Sequence, residues 1–385
     1  MRVAVVGGGV AGSVCAIALR RVGAEVTVFE SHPDAAGSVG SFLSLASNGL
    51  RGLDALDCLG PVTAAGFPVA RQRMWSSSGR LLGDVARGRL ADDPLHSVTL
   101  MRGRLVERLR EEAARSGARI ITGERLADAE TRPDGVRLRF AGGGSADADL
   151  LVGADGIWST TRRLLDPAAP TPRYAGLYTV SGTTEGLDLE PGVFHMVFAR
   201  AGAFLAVPAP DGTVWWSAQV ASREQPDLSA GGTDDATRLR GLRELFGDDV
   251  LPSRVLRLTP RLHRPTPHHT LDALPVWHAD RVVLVGDAAH PVGAGQGASM
   301  AIEDAVVLAH ALRSAPSVPS ALADYDARRR PRVRRMLKTA GENRDTKTAG
   351  PLARRMGELF MPVFFRHFHD RATSWLYTYD ATKAA

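Results

Sequence analysis

Three glycines near the start of the chain constrain its fold more than any other feature. Gly7, Gly9 and Gly12 stand between an apolar run at residues 2–6 and a stretch rich in alanine and leucine, and a second apolar run at residues 25–30 follows directly. This order predicts strand, glycine turn, helix and strand. In such a βαβ unit the first glycine permits the turn, the second lets a pyrophosphate approach, and the third allows close packing of the helix on the strand.

Glu30 supports a nucleotide as the ligand of this turn. It ends the second apolar run, where a carboxylate can accept hydrogen bonds from ribose hydroxyls. An acid at this position favours an unphosphorylated ribose, as in FAD or NAD, and the helix N-terminus would face the phosphates with its partial positive charge. The alternative is a glycine turn that binds nothing.

Composition excludes several classes of protein. With 385 residues, 44% hydrophobic and 23% charged, the chain is globular rather than disordered, collagen-like or coiled-coil. The net charge is only +5 and no basic stripe is interleaved with aromatic residues, so we expect no nucleic-acid partner. Cys15 and Cys58 are too few for a disulfide scaffold or a cysteine-based zinc site. They fit a reducing, cytoplasmic setting.

The chain shows no membrane-spanning signal. The uncharged residues 3–19 are interrupted by the glycines and followed at once by another strand, so we interpret them as the folded start of the domain rather than a signal peptide. No other segment is long and apolar enough to span a bilayer. We expect no membrane contact.

The pattern of apolar residues changes twice along the chain. Apolar runs at 149–153 and 281–286 predict buried parallel strands, whereas alternating runs between 170 and 275 predict antiparallel sheet. Helices are predicted at 103–116 and 301–312. The predicted organisation is a nucleotide-binding domain in two parts, a β-rich substrate domain between them and a C-terminal helical segment, with bounds 1–169 and 276–345, 170–275, and 346–385.

Two later segments decide which dinucleotide is bound. One contains Asp155-Gly156 after the strand at 149–153, and the other contains Gly286-Asp287 followed by Gly295-Gln296-Gly297. Together with the glycine turn, they make the sequence resemble the FAD-dependent aromatic hydroxylases, single-component flavoprotein monooxygenases with the p-hydroxybenzoate hydroxylase fold. The resemblance covers nearly the whole chain. It implies an α/β fold: a Rossmann-like FAD-binding domain with an inserted antiparallel β-sheet substrate domain and C-terminal helices.

The resemblance also implies roles for single residues. Gly7, Gly9, Gly12 and Glu30 would hold the ADP half of FAD, with Leu126 beside the adenine. Arg102 would contact the cofactor, Asp155 would belong to a fingerprint for FAD and reduced nicotinamide, and Asp287 would bind ribityl or ribose hydroxyls. The segments 39–41 and 47–49 would pass close to the flavin. Gly295, Gly297 and Ala298 would open a helix whose first amides face the flavin's pyrimidine edge, where charge gathers on reduction.

Three of these positions also have an interpretation without a ligand. Asp155-Gly156 suits an ordinary turn, Asp287 suits the cap of the next helix, and Arg102 suits a solvated charge where a helix begins.

The chain also departs from the family pattern. Ser31 follows Glu30 where the family often has arginine, and the loop from Pro291 to Ala294 is a couple of residues shorter than usual.

The activity implied by the resemblance is monooxygenation. Non-covalent FAD, reduced by NADPH or NADH, would activate O2 as a flavin C4a-hydroperoxide and hydroxylate or epoxidise an aromatic, heteroaromatic or polycyclic small molecule. The protein would act as a monomer or homodimer, and no catalytic base is assigned. Alternatives are halogenation or double-bond reduction on the same fold, and a non-enzymatic carrier related to prenyl-binding dissociation inhibitors. The halogenase tryptophan signature is absent, and no lysine precedes Lys338.

Four remaining features receive structural interpretations. Trp215 and Trp216 lie on an alternating strand, so one ring should face each side, and Trp215 is a candidate for the substrate cavity. The five histidines His195, His263, His268, His269 and His290 match no metal-ligand spacing and are expected at the surface or at caps. Residues 328–331 are expected to be a solvated helix face. The aromatic tail at 359–379 is expected to pack against a sheet.

Overall fold

The computed structural model describes residues 1–33, 41–228, 234–293, 295–347 and 351–383. Its strands are β1 (Arg2–Val6), β2 (Glu25–Glu30), β3 (Phe42–Leu45), β4 (Phe67–Val69), β5 (Arg71–Ser76), β6 (Leu81–Ala86), β7 (Ser97–Met101), β8 (Arg119–Thr122), β9 (Leu126–Arg132), β10 (Gly135–Phe140), β11 (Ser145–Ala148), β12 (Leu150–Gly153), β13 (Arg173–Thr184), β14 (Val193–Ala199), β15 (Gly202–Pro208), β16 (Val214–Ala221), β17 (Arg261–Leu262), β18 (Thr266–Thr270), β19 (His278–Ala279) and β20 (Val282–Leu284).

The α-helices are α1 (Val10–Arg21), α2 (Ser47–Asp54), α3 (Leu59–Thr63), α4 (Arg102–Arg115), α5 (Thr160–Leu165), α6 (Asp235–Phe246), α7 (Val250–Leu258), α8 (Gly297–Ser314), α9 (Val318–Lys347), α10 (Pro351–His367) and α11 (His369–Tyr377). A 3₁₀ turn occupies Gly286–Ala288.

A parallel sheet forms around the N-terminal βαβ unit. Its strand order is β19-β20-β12-β1-β2-β8, and only the edge strand β19 pairs antiparallel with its neighbour. Strands β12 and β20 are buried at every position, as expected for a parallel sheet covered on both faces. The parallel strands predicted at 149–153 and 281–286 are therefore confirmed, and so is the α/β fold class.

Helix α8 is the central helix on one face of this sheet. It packs against α1, α2 and α9, and its residues from Ser299 to Ala309 are buried without exception. A helix that is apolar around most of its circumference must be enclosed, and the alanine-rich α1 lets it approach closely. The start of α8 is thereby fixed near the start of α1.

A second, larger sheet carries the β-rich part of the chain. Its order is β17-β13-β16-β15-β14-β5-β6, with β18 also paired to β13. The strands between residues 170 and 275 pair antiparallel as predicted. Strand β14 also pairs in parallel with β5, Val193 lying opposite Arg71, so β5 and β6 extend this sheet from within the predicted first domain. The predicted domain bounds stay a prediction.

The two faces of the larger sheet have different surroundings. One face packs with α6 and α7 around Phe204, Trp216 and Phe246. The other carries Phe194 and Val207, which pack with Phe67 of β4 in the small sheet β3-β7-β4. This second face is therefore the one turned toward the nucleotide-binding half of the molecule.

The C-terminal helices cover an edge and a corner of the molecule. Helix α10 lies against β6, where a side-chain carbon at Gly83 would come within 2.6 Å of the Phe365 ring. The predicted packing of the aromatic tail on a sheet is confirmed there, although Leu359, Phe360 and Val363 point to solvent. Helix α11 contacts α2. Within the described residues, none of the helices is apolar over a length sufficient to cross a bilayer.

Candidate functional site

The glycine turn is shaped by close backbone contacts. Gly7 has φ of +101°, and a side-chain carbon there would lie 2.4 Å from the carbonyl oxygen of Ala154. A side-chain carbon at Gly12 would lie 1.8 Å from the carbonyl oxygen of Gly7, whereas one at Gly9 meets no atom within 4 Å. Gly7 and Gly12 thus satisfy packing, and Gly9 leaves open space in front of the turn.

Glu30 is held by the turn itself. Its Oε2 accepts hydrogen bonds from the Gly8 amide at 2.7 Å and from Arg110 at 3.2 Å, and its Oε1 accepts one from the His32 amide at 2.9 Å. Burial raises the pKa of Glu30, but the hydrogen bonds from His32 and Gly8 outweigh it and leave the pKa below its ordinary value. The carboxylate is therefore fixed and ionised.

Arg110 was not found from the sequence. It lies on α4 and also donates to the carbonyl oxygen of Gly8, at 2.6 Å. A charged residue on an amphipathic helix gives no local sign that it reaches the turn. Arg110 thus brings a charged partner from α4 to Glu30, in addition to the contact that the His32 ring makes with it.

The carboxyl ends of four parallel strands meet at one edge of the first sheet. Gly7 follows β1, Glu30 ends β2, Asp155 follows β12 and Asp287 follows β20. Strands β2 and β20 are three positions apart, which corresponds to about 14 Å at the usual strand spacing. This edge therefore offers polar groups over the length of an extended ligand, at the position where open α/β sheets bind theirs.

The carboxylate of Asp155 is used within its own loop. Its oxygens accept hydrogen bonds from the Ser159 hydroxyl at 2.5 Å and from the amides of Thr160 and Thr161 at 2.8 and 2.9 Å. Asp155 therefore binds the N-terminus of α5, a role that the sequence did not indicate, because the alternative considered for Asp155 was an ordinary turn. It lines the cleft described below, but it has fewer free acceptor sites than Asp287.

Asp287 and Arg102 differ from Asp155 because their charged groups are not used within the protein's own loops. Burial raises the pKa of Asp287 above its ordinary value despite the opposing charges of Arg102 and His290. Among the described residues, none donates a hydrogen bond to the Asp287 carboxyl group, and none forms an ion pair with the Arg102 guanidinium. Arg102 is exposed, whereas Asp287 is partly covered, and a covered carboxyl group without a donor suits a polar ligand that would supply one.

The N-terminus of α8 opens on the same space. Its first residue is Gly297, and the preceding Gln296 provides no side-chain cap. The amides of Gly297 and Ala298 therefore have neither an intrahelical acceptor nor a capping oxygen. Together with the helix dipole, they favour negative charge in front of them. Gly295, in the loop before the helix, has φ of +75°, a conformation suited to glycine.

A cleft of about 760 Å³ joins these features. All the cofactor-binding residues predicted from the sequence line it except Gly12, which packs behind the turn: Gly7, Gly9, Glu30, Arg102, Leu126, Asp155, Asp287, Gly295, Gly297 and Ala298. Residues that the sequence did not indicate also line it, among them Phe29, Arg125, Trp158 and Val292. The volume is within the range of binding sites for cofactors and other small molecules.

The predicted flavin segments have different outcomes. Ser41 lines the cleft, while Val39 and Gly40 lie outside the described residues. Residues 47–49 do not line it. They begin α2 and pack on α8, where the Asn48 amide donates to Glu303 at 2.7 Å.

A buried network of charges lies behind the start of α8. Asp304 accepts hydrogen bonds from the Gly286 amide at 2.8 Å, from His290 at 2.7 Å and from Arg329 at 2.8 Å. Arg329 also donates to Glu303 at 2.7 Å. The expectation that residues 328–331 are a solvated face is therefore wrong for Arg329, which is fully buried. The network joins the Gly286 turn to α8 and α9.

Two of the five histidines also differ from expectation. His195 and His290 are buried rather than at the surface, because His290 pairs with Asp304 and His195 lies beside Trp75, whose indole nitrogen is 3.3 Å from it. Over the described ranges, no three His, Cys, Asp or Glu side chains are grouped as metal ligands.

Trp215 and Trp216 point to opposite faces of the larger sheet, as predicted. Trp216 is fully buried and stacks on Phe204 with ring centroids 5.3 Å apart. Trp215 is only partly buried, and its ring lies 5.1 Å from Phe67 and 6.1 Å from Phe42. Phe42 lines the cleft, so Trp215 stands one side chain away from it.

Comparisons with known proteins agree with this geometry. Residues 1–340 match the family model described as FAD binding domain. The chain is 31% identical over 85% of its length to the aurachin C monooxygenase/isomerase of Stigmatella aurantiaca, covering 84% of that protein, and 34% identical over 86% of its length to the kynurenine 3-monooxygenase of Salinispora arenicola, covering 76%. The crystal structure of HpxO from Klebsiella pneumoniae with FAD and uric acid matches with a TM-score of 0.82 at 24% identity, over 100% of this chain and 97% of that one.

Proposed function

The chain belongs to the FAD-binding-domain family and is an FAD-dependent monooxygenase, and from this premise we propose that it uses NADPH or NADH and O2 to hydroxylate or epoxidise an aromatic, heteroaromatic or polycyclic small molecule. The observation that carries the proposal is the single cleft that gathers the glycine turn, Glu30, Arg102, Asp287 and the start of α8. Two of the relatives named above act, by their names, on aurachin C and kynurenine.

The adenosine half of FAD would lie at the β1–β2 side of the cleft. Gly7 and Gly9 would let the pyrophosphate approach the N-terminus of α1, and Gly12 would keep that helix close to β1. Glu30 would accept hydrogen bonds from ribose hydroxyls, for which its pre-ordered, ionised carboxylate is suited. Leu126, at the start of β9, would contact the adenine.

The other half of FAD would lie toward α8. Asp287, whose carboxyl group lacks a protein donor among the described residues, would accept hydrogen bonds from hydroxyls of the ribityl chain. Arg102, which also lines the cleft, would contact the cofactor near Asp287. Gly295, Gly297 and Ala298 would face the pyrimidine edge, where uncapped amides stabilise negative charge. Asp155 would shape the cleft through its loop.

FAD would supply acceptance of hydride from reduced nicotinamide and activation of O2. The residues of this chain orient the ring, stabilise charge on it and exclude water from the reacting atoms. The β-rich residues 170–275 would form the wall of the cleft that contacts the substrate. Trp215 lies on the face of the larger sheet that is turned toward the nucleotide-binding half. We place the reaction in the cytoplasm, where the two unpaired cysteines fit, and expect a monomer or homodimer.

The test is to measure bound FAD and oxygen transfer together. Purified protein should show flavin absorption, and an aromatic substrate should accelerate oxidation of NADPH or NADH, the faster of the two identifying the co-substrate. With ¹⁸O2, one labelled oxygen atom should appear in the product by mass spectrometry. Protein that cannot be loaded with FAD, or product without label from O2, contradicts the proposal.

A further inference from the structure

Trp277 and His290 each bury a ring nitrogen that has no hydrogen-bond partner. Trp277 lies just before β19 and is 3% exposed, and His290, which follows the 3₁₀ turn, is 2% exposed. Among the described residues, none accepts a hydrogen bond from Trp277 Nε1 and none bonds to His290 Nδ1. Buried polar atoms without a partner are uncommon in folded proteins, so each of these nitrogens requires an explanation.

A small cavity is lined by both of these side chains. Its volume is about 40 Å³, and a single water molecule needs about 10–15 Å³ of such space. The cavity therefore has room for water but not for a flavin or an aromatic ring. It is distinct from the cleft, since the two share no lining residue in the part of the chain that the structure describes.

The other side chains around this cavity are apolar, already bonded or exposed. Arg330 donates to the carbonyl oxygens of Leu274 at 2.7 Å and of Pro275 at 3.4 Å. Asp272 and Arg334 are exposed at the rim. Five apolar side chains complete the wall: Leu271, Leu274, Pro291, Val333 and Leu337. The two unpartnered nitrogens are therefore the side-chain groups by which the enclosed part of the cavity can bind a ligand.

Water matches the hydrogen-bonding capacity of the two nitrogens. The indole Nε1 can only donate. Asp304 accepts a hydrogen bond from His290 Nε2 at 2.7 Å, so Nε2 carries a proton, and Nδ1 accepts when the ring is neutral and donates when it is charged. A water molecule can bond to both nitrogens in either state, whereas an anion suits only the charged ring. The two ring centres lie 5.3 Å apart, and one water joins atoms up to about 6 Å apart.

His290 connects this cavity to two segments that border the cleft. Its partner Asp304 also accepts a hydrogen bond from the Gly286 amide at 2.8 Å. Gly286 has φ of +57° and begins the turn that presents Asp287 to the cleft. In the other direction along the chain, Val292 lies two residues after His290 and lines the cleft. The orientation of one imidazole ring therefore affects both segments.

We propose that an ordered water molecule in this cavity joins Trp277 to His290, and that Trp277 is thereby a positioning residue for the turn that carries Asp287. This proposal rests on the proposed function, in which Asp287 binds the ribityl chain of FAD. Groups that contact a ligand are held in place by hydrogen bonds from residues behind them. Trp277 does not line the cleft, so it acts through the water, His290 and Asp304.

The first experiment detects the water in the wild-type protein, with and without FAD. A crystal structure that resolves ordered water should show one molecule within hydrogen-bond distance of Trp277 Nε1 and His290 Nδ1. In solution, the indole N–H of Trp277 should show a nuclear Overhauser effect to bound water. Trp216 is the matched control in the same spectrum, because its Nε1 is also buried without an acceptor but does not line the cavity. It should show no such effect.

The second experiment measures FAD binding by fluorescence titration of the apoprotein. Trp277→Phe keeps an aromatic ring but removes the donor to the water. The dissociation constant of FAD should rise about threefold or more, since the net contribution of one hydrogen bond corresponds to a factor of this size. Trp216→Phe makes the same chemical change in the core under α6 and α7, and it should leave the dissociation constant unchanged.

Two results would overturn the proposal. One is a wild-type structure in which the cavity holds no water bonded to both nitrogens, or holds an anion there instead. The other is a Trp277→Phe variant that binds FAD as tightly as Trp216→Phe does. The wild-type measurements remain decisive even if Trp277→Phe does not fold. Failure of the wild type to bind FAD would instead contradict the proposed function, and the water can still be measured in the apoprotein.

Discussion

Gly9 and Gly12 are three positions apart in the same turn, yet a methyl group added to each meets different surroundings. At Gly9 the backbone is extended, with φ of −76°, and the methyl group has no neighbour within 4 Å. At Gly12 it overlaps the carbonyl oxygen of Gly7. Two glycine-to-alanine substitutions can therefore separate the stability of the fold from the binding of the ligand.

The first prediction compares Gly9→Ala with Gly12→Ala. Gly9→Ala should leave the free energy of unfolding of the apoprotein unchanged or raise it by up to about 1 kcal/mol, while it weakens FAD binding at least tenfold because the methyl group occupies the approach of the pyrophosphate. Gly12→Ala should lower the free energy of unfolding by about 2–3 kcal/mol. Urea unfolding and fluorescence titration with FAD measure the two effects. Tight FAD binding by Gly9→Ala would contradict the assignment.

The second prediction concerns the buried network at Asp304. Asp304→Asn leaves Arg329 without one of its two carboxylates, so the free energy of unfolding should fall by about 3 kcal/mol. Asp324→Asn on α9 removes an exposed pair with Arg328 and should cost less than about 1 kcal/mol. Urea unfolding at neutral pH compares them. Equal losses in the two variants would show that the network does not stabilise the fold.

The third prediction is that the loss of stability in Asp304→Asn depends on pH. The charges of His290 and Arg329 outweigh burial and hold the pKa of Asp304 far below its ordinary value of 3.8. The stabilisation from Asp304 is therefore fully present above about pH 4, where the unfolded chain is also ionised, and is lost as the pH falls below that value toward the folded pKa. The difference in free energy of unfolding between wild type and Asp304→Asn should therefore become smaller below pH 4. Urea unfolding monitored by circular dichroism at several pH values measures it. A difference that stays constant down to pH 2 would contradict the prediction.

At the scale of elements, strand β16 separates two environments within two residues. Alternation along a strand directs consecutive side chains to opposite faces, so Trp216 joins the core under α6 and α7 while Trp215 faces the nucleotide-binding half. This division could be predicted from the sequence because it depends only on local period. What covers each face could not, since that is decided by segments distant in the chain.

The fourth prediction follows from this alternation. Trp216→Ala should lower the free energy of unfolding by about 3–5 kcal/mol, as loss of a fully buried aromatic ring does. Trp215→Ala should cost less, because part of its ring is accessible, and should instead raise the KM for the aromatic substrate. Thermal unfolding and steady-state kinetics separate the two. An unchanged KM for Trp215→Ala would remove it from the proposed substrate side.

Local signals carried most of what the sequence could predict. The glycine turn, Glu30 and the parallel strands each depend on a few adjacent residues. By contrast, the pairing of β5 with β14 joins residues more than a hundred positions apart, and no local pattern specifies it. Arg110 and Arg329 were missed for the same reason, since an arginine's burial and partners depend on the tertiary fold.

At the scale of the whole molecule, the cleft is assembled from distant parts of the chain. Its lining extends from Val6 to Ala301 and includes the ends of four strands. A ligand that contacts all of them stabilises the folded state by its binding free energy, because the unfolded chain has no such site. Binding and global stability are thereby linked.

The fifth prediction uses this linkage. FAD at one hundred times its dissociation constant should raise the free energy of unfolding by about 2.7 kcal/mol. ADP and riboflavin, which correspond to the two halves of FAD, should each stabilise less at the same concentration. Urea unfolding of the apoprotein with each ligand gives the comparison. Equal stabilisation by ADP and FAD would indicate that only the β1–β2 side of the cleft is bound.

The hydrogen bonds from Ser47 and Arg51 to Tyr377 have a consequence for biosynthesis. A ribosome delivers the polypeptide from its N-terminus, so Ser47 and Arg51 of α2 can meet their contact on α11 only after residue 377 has been made. The residues that line the cleft, by comparison, end at residue 301. The residues that line the cleft are thus all present in the growing chain before α11 is made, and the contact between α2 and α11 forms later.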